Sequence, residues 1–184
     1  MLPNGTGWLQ MQDNQREEII YLAGLFDGEG TICIQRDVRL TDKETGRYKG
    51  ATYTVTVRIG MIERHAIEMY LNVFKVGYLD CEKTYHKFRP MWRYSIRRRE
   101  DVKFFIENIS PFLRVKKPQA ELALEYFKLF PKGHGYRSQG EKIWNEKEEF
   151  RIKMSSLNGV KISPATTKRR GRSPSVRVSD SLIS

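Results

Sequence analysis

Two cysteines and three histidines are the whole supply of thiol and imidazole metal ligands in 184 residues. Cys33 and Cys81 form no CxxC pair and have no histidine cluster near them, which argues against a disulfide framework and a zinc site and leaves two reduced thiols. Long apolar runs are missing too. None approaches the roughly 18 residues a membrane span needs, and the N-terminus has no basic segment leading into an apolar one. The chain therefore reads as soluble, unsecreted and intracellular, with no membrane partner. Acidic residues are in deficit, 22 Asp and Glu against 33 Lys and Arg, giving a formal net charge of +11 and a pI near 9.7. That balance favours a polyanionic partner such as nucleic acid.

A chain of this length is expected to form one domain around one core. Asn14 lies three residues before Glu17 and ahead of an apolar run, a capping-box pattern that predicts a helix from Asn14 to about Asp27. Ile32 and Ile34 alternate with Cys33 and Gln35, a strand with one buried face. Tyr53, Val55, Val57 and Ile59 alternate with Thr52, Thr54, Thr56 and Arg58 in a second, antiparallel strand reached through a polar hairpin from Asp42 to Gly50. Ile67, Tyr70, Leu71 and Phe74 recur at helical spacing. Val76 to Glu82 and Met91 to Ile96 read as another hairpin. Val102, Phe105, Ile106 and Ile109 mark a helix stopped by Pro111. Pro118 opens the next, with Ala120, Ala123, Leu124 and Phe127, and a last helix covers Glu141 to Leu157. The class is α+β, in the order αββαββα with additional C-terminal helices.

The domain occupies residues 14–160, after an N-terminal extension at 1–13. From Lys161 the composition turns to Ser, Thr, Pro and basic residues, too few apolar groups to offset ordering entropy, so 161–184 reads as a disordered tail. The tail carries +5 of the charge and the domain keeps about +6. The basic character of the folded part is its own.

The stretch YLAGLFDGEG, residues 21–30, ends the first predicted helix by crowding Asp27 and Glu29 between glycines. The C-terminal end of a helix carries negative partial charge, so acids are unwelcome there without a compensating group. A hard divalent cation would supply one, and Gly28 and Gly30 would let the backbone turn tightly. Gly24 costs roughly 1 kcal/mol against alanine in a helix interior, and close approach of another backbone would explain it. Ile20, Gly24 and Asp27 share one face. Taken alone, these residues leave two readings open, a cation site or a solvated acidic turn.

The nonapeptide LAGLFDGEG, Leu22 to Gly30, closely resembles the signature of the LAGLIDADG homing endonucleases, and PFLRVKKPQAEL, Pro111 to Leu122, resembles a later segment of that family. The resemblance covers about residues 17–157. It implies that Glu29 and the Gly28 carbonyl bind magnesium, for which manganese can substitute, and that Lys116 supports the metal-bound water and the scissile phosphate. Asp27 shapes the motif end as a secondary residue. Some relatives carry a glutamine near the end of the second strand; this sequence offers Met61 there, with Arg64 or His65 as neighbouring polar groups. With one motif per chain the resemblance implies a homodimer meeting through Ile20, Ala23, Gly24 and Asp27, and a pseudo-palindromic double-stranded DNA site cut on both strands.

In such a fold the strands 31–40, 51–60, 77–84 and 90–97 form a curved antiparallel sheet whose polar face reads DNA. Alternation assigns to it Thr31, Cys33, Gln35, Asp37 and Arg39; Thr52, Thr54, Thr56 and Arg58; Tyr78, Asp80 and Glu82; and Arg89, Met91, Arg93 and Ser95. Arginine suits guanine, glutamine adenine, and acids the cytosine amino group, while Lys87, Arg97, Arg98, Arg99 and Lys117 would meet phosphates. Two other outcomes stand beside this one: a maturase of the same fold that binds intron RNA, and a catalytically inactive DNA-binding regulator. The resemblance places the chain in a chloroplast, a mitochondrion or a prokaryotic cytoplasm.

Overall fold

The computed structural model describes residues 13–38, 51–82, 90–131 and 141–160, the side chains of residues 13, 14, 38, 82 and 141 excepted. The expected hairpin at 42–50, the phosphate contact Lys87 and the terminal segments fall outside it, apart from Asp13. The elements are α1 (Asp13–Glu29), β1 (Gly30–Val38), β2 (Ala51–Met61), α2 (Arg64–Phe74), β3 (Tyr78–Glu82), β4 (Met91–Ile96), α3 (Arg99–Ile109), a single 3-10 turn (Ser110–Phe112), α4 (Lys117–Leu129) and α5 (Glu141–Leu157). This is the expected αββαββα core with further C-terminal helices. The strands form one curved antiparallel sheet in the order β1-β2-β4-β3.

The period-two pattern decides which face the helices cover. Ile32, Val57 and Ile96 stand in one row across three strands, as do Ile59, Tyr94 and Leu79. Ile32, Val57, Ile59, Tyr94 and Ile96 are buried, packed under the helices with Ile19, Leu22 and Phe26 of α1 and with Ile67, Phe105 and Ile109. Burying aromatic hydroxyls requires partners for them. Tyr70 donates to the Leu22 carbonyl at 2.7 Å, pinning α2 to α1, and Tyr94 donates to the Val76 carbonyl at 2.7 Å. Burial also holds both phenols well above their ordinary range. α4 and α5 lie against β1, where Arg36 faces Glu148 at 3.9 Å, and burial followed by the Glu148 hydrogen bond pushes the Tyr53 phenol up to about 12.

Several boundaries differ from the sequence reading. Asp13 and Asn14 are already helical, so Asn14 is not the cap of α1. The helix also continues through Gly28 and Glu29 instead of ending near Asp27. Neither Gly28 nor Gly30 has a positive φ, so no tight turn explains them. Gly30 is glycine for space: a Cβ there would run into the Phe26 ring, which is fully buried against Phe105 with ring centroids 5.4 Å apart. The left-handed step falls elsewhere, at Lys75 and Gly77 after α2. At Gly77 a Cβ would lie 2.8 Å from the Ser95 carbonyl oxygen. β4 spans Met91–Ile96 as the hairpin reading expects, and β3 begins at Tyr78, two residues after Val76.

Candidate functional site

Asp27 is where the first helix and the PFLRVKK segment meet. One carboxylate oxygen accepts the Arg114 N–H at 2.7 Å and the other accepts the Lys116 N–H at 2.8 Å. Lys116 is the residue preceding α4, and its carbonyl accepts the Ala120 N–H at 3.0 Å. The acid at the negative end of α1 is thereby placed against N–H groups at the positive end of α4, which removes the electrostatic objection to it. Partial burial pushes the Asp27 carboxyl up, but the N–H groups of Lys116, Arg114 and Val115, together with the Lys116 charge, outweigh it and hold it below its ordinary value.

The clamp fixes what lies beside it. Glu29 is exposed at the last residue of α1 and, among the described residues, has no hydrogen-bond or ion-pair partner. Gly28 next to it is exposed and an added Cβ would touch nothing within 4 Å. Lys116 is half-buried, its backbone N–H bonded to Asp27, two residues before Glu29. A carboxylate and a backbone carbonyl are the hard oxygen donors that magnesium or manganese takes. They fit in kind and fall short in number, because no group of three or more His, Cys, Asp or Glu side chains converges among the described residues.

α1 turns two faces outward and inward. Ile19, Leu22, Ala23 and Phe26 are buried in the chain's own core, whereas Ile20 and Tyr21 are 47% and 54% exposed. Ala23 is therefore not available to a second copy: it is enclosed by its own chain, because the apolar stripe facing the sheet includes it. Ile20 and Gly24 remain on the open side, and nothing in this chain comes within 4 Å of a Cβ built on Gly24. Asp27 is engaged by Arg114 and Lys116. Tyr21 was not among the expected contacts, and its exposure immediately before LAGLFDGEG is the signal that separates the two faces.

Cross-strand register places the expected DNA readers on the sheet face away from the helices. Thr31, Arg58, Ser95 and Tyr78 form one row, Gly60, Arg93 and Asp80 a second, and Met91 pairs with Glu82 in a third. Cys33 pairs with Thr56, Gln35 with Thr54 and Asp37 with Thr52 farther along. Two of these residues differ from expectation. Thr56 is 0% exposed and Ser95 2%, enclosed on the concave side, with Thr56 Oγ1 3.1 Å from Cys33 Sγ. Neither presents a group to a ligand, and alternation could not reveal it, since parity gives a face and not the depth of its curvature. Arg39 and Arg89 lie outside the described residues, as does the Glu82 side chain. Both cysteines are free thiols.

The strand-end positions fall differently again. Met61 shares parity with buried Ile59, so it points to the helical side and packs against the core. Gly60 is the residue of that strand end on the open face. The Arg64 guanidinium stacks over Trp92 at 4.5 Å and pairs with Glu68 at 2.6 Å, while His65 is exposed. Met61 and Arg64 thus lie on the side of Trp92, away from the face that carries Arg58 and Arg93.

Sequence comparison finds no matching family model and no curated relative. The fold, however, recurs among solved structures. The homing endonuclease I-CvuI, solved in complex with its target in the presence of calcium, superposes with a TM-score of 0.63 at 16% identity, covering 86% of this chain and 89% of that one. The homing endonuclease I-TnaI gives 0.57 at 14% identity over 77% of this chain and 93% of its own. The meganuclease I-SmaMI, bound to uncleaveable DNA, gives 0.57 at 14% identity over 74% of this chain but only 44% of its own. At these identities what is shared is the fold alone, the one these homing endonucleases and this meganuclease adopt.

Proposed function

We propose that the chain is a sequence-specific, magnesium-dependent DNA endonuclease of the homing type that acts as a homodimer and breaks both strands of a long pseudo-palindromic site. The observation that carries this reading is the Asp27 clamp, which ties the backbone of half-buried Lys116 to the end of α1, where Glu29 is exposed and, among the described residues, unpartnered. Glu29 and the Gly28 carbonyl of each copy would hold the cation. When bound, it would supply charge neutralisation at the phosphate and polarise a water for attack on phosphorus. Lys116 brings a positive charge to the phosphate from the α4 side. Asp27 is support, its oxygens being occupied by backbone N–H groups.

The homodimer is supported by the exposed side of α1. Gly24 lets two helices approach closely, and Ile20 and Tyr21 supply apolar area beside it. The coverage figures support the same stoichiometry: the chain matches nearly the whole of I-CvuI and I-TnaI and under half of I-SmaMI. A two-fold dimer reads a two-fold site. The reading is tested by incubating the full-length chain with a randomised duplex library and magnesium and sequencing the ends produced. Double-strand ends clustered on one family of pseudo-palindromic sites support it. Binding of intron RNA with no magnesium-dependent DNA cutting would replace it with a maturase, and binding of one duplex family without cutting would replace it with a regulator.

A further inference from the structure

We infer that Gln119 and Asn158 are positioning residues that fix the angle of α4 against β1 and so set where Lys116 stands relative to Glu29, an inference that rests on the proposed cleavage reading. Asn158, the residue after α5, donates from Nδ2 to the Ile32 carbonyl of the edge strand β1 at 2.8 Å. Gln119, in the first turn of α4, donates from Nε2 to the Leu157 carbonyl at 3.1 Å, and the same nitrogen lies 3.5 Å from Asn158 Oδ1. The end of α5 thereby joins β1 to α4.

The join falls just beyond the two residues of the candidate site. Ile32 follows Glu29 by three positions into β1, and Gln119 follows Lys116 by three positions into α4. The same two segments are already tied at their near ends, where Asp27 accepts the Lys116 N–H at 2.8 Å. One tie leaves α4 free to pivot about that bond, and a second tie farther along removes the pivot. Glu29 lies between the two ties on its own segment. The Lys116 carbonyl accepts the Ala120 N–H at 3.0 Å, so Lys116 moves with the turn that carries Gln119.

Packing alone does not account for a glutamine at this place. Gln119 is 6% exposed, and its Oε1 is buried with no hydrogen-bond partner among the described residues. The orientation of the amide follows from the Leu157 carbonyl, which can only accept. A buried acceptor left unpaired weakens a fold, and an unbranched apolar side chain such as methionine would fill the space without one. What the glutamine adds is the donor that reaches the end of α5.

The test compares full-length wild type, Gln119→Met and Asn158→Asp, the last keeping the shape of the side chain and removing its Nδ2 donor. Three quantities are measured on the duplex mapped by cleavage: single-turnover cutting in magnesium, affinity in EDTA, and Tm of the free protein. Rates are taken at a temperature where circular dichroism shows each variant folded. Both variants should cut about tenfold more slowly or worse, as expected when a reacting group is held in the wrong place, while their DNA affinity stays at the wild-type level. Gln119→Met should melt no lower than wild type, because it removes the unpaired oxygen, so its slower cutting would not come from a weakened fold. Cutting at the wild-type rate by either variant, slower cutting that only follows lost affinity, or a lowered Tm for Gln119→Met would overturn the positioning role and leave the cleavage reading intact. A wild type that cuts no duplex in magnesium would overturn both.

Discussion

Replacing Asp27 by asparagine keeps the size of the side chain and removes the charge that the Arg114 and Lys116 N–H groups hold at 2.7 and 2.8 Å. A hydrogen bond to an ionised group contributes about 1.5–3 kcal/mol, asparagine retains one acceptor oxygen, and the site is half-exposed and therefore screened. The expected loss is about 1–2 kcal/mol, or about 2–8 °C in Tm for a domain of this size. The sign of its pH dependence follows from the lowered carboxyl. A folded-state value below the unfolded one contributes stability above the ordinary value of 3.8 and loses it as pH falls through the folded value. The difference between wild type and Asp27→Asn should therefore be full at pH 7 and shrink below about pH 4. Urea titrations at both pH values measure it, and hydrogen exchange at the Arg114 and Lys116 amides locates it. Equal exchange at those two amides in both proteins, or a stability difference that is the same at pH 3 as at pH 7, would refute the clamp.

Two further substitutions separate packing from association. Gly30→Ala should cost about 1–3 kcal/mol, because the new methyl must displace the buried Phe26 ring; an unchanged urea midpoint would contradict that packing. Gly24→Leu should leave the monomer fold intact, or stabilise it slightly through helix propensity. It should convert the protein to monomer in sedimentation velocity; an unaltered dimer would show that this face is not the contact.

Much of the fold was legible because its signals are local. The alternation of Tyr53, Val55, Val57 and Ile59 fixed the buried face of β2, and the apolar stripe from Ile67 to Phe74 marked α2. α1 was harder, since YLAGLF is apolar almost all round and offers no contrast by which to tell Ala23, in the core, from Ile20, on the surface. The role of Asp27 was out of reach for a different reason. Its partners lie 87 and 89 residues away, and no local pattern couples a carboxylate to backbone N–H groups at that separation. Thr56 and Ser95 were misjudged because burial on a concave sheet depends on its curvature and not on parity. What residue chemistry alone left open between a cation site and a solvated turn is now divided: Asp27 belongs to the structure, and Glu29 is left facing outward with nothing bound to it in its own chain.

That division is tested most directly by comparing the wild type with Glu29→Gln on the site mapped by cleavage, with magnesium for cutting and with EDTA for binding. Glu29 is exposed and unpartnered among the described residues, so the substitution should leave Tm and DNA affinity unchanged while double-strand cleavage falls by at least about a hundredfold. Cleavage by Glu29→Gln at the wild-type rate would contradict the assignment of Glu29 as the group that holds the metal.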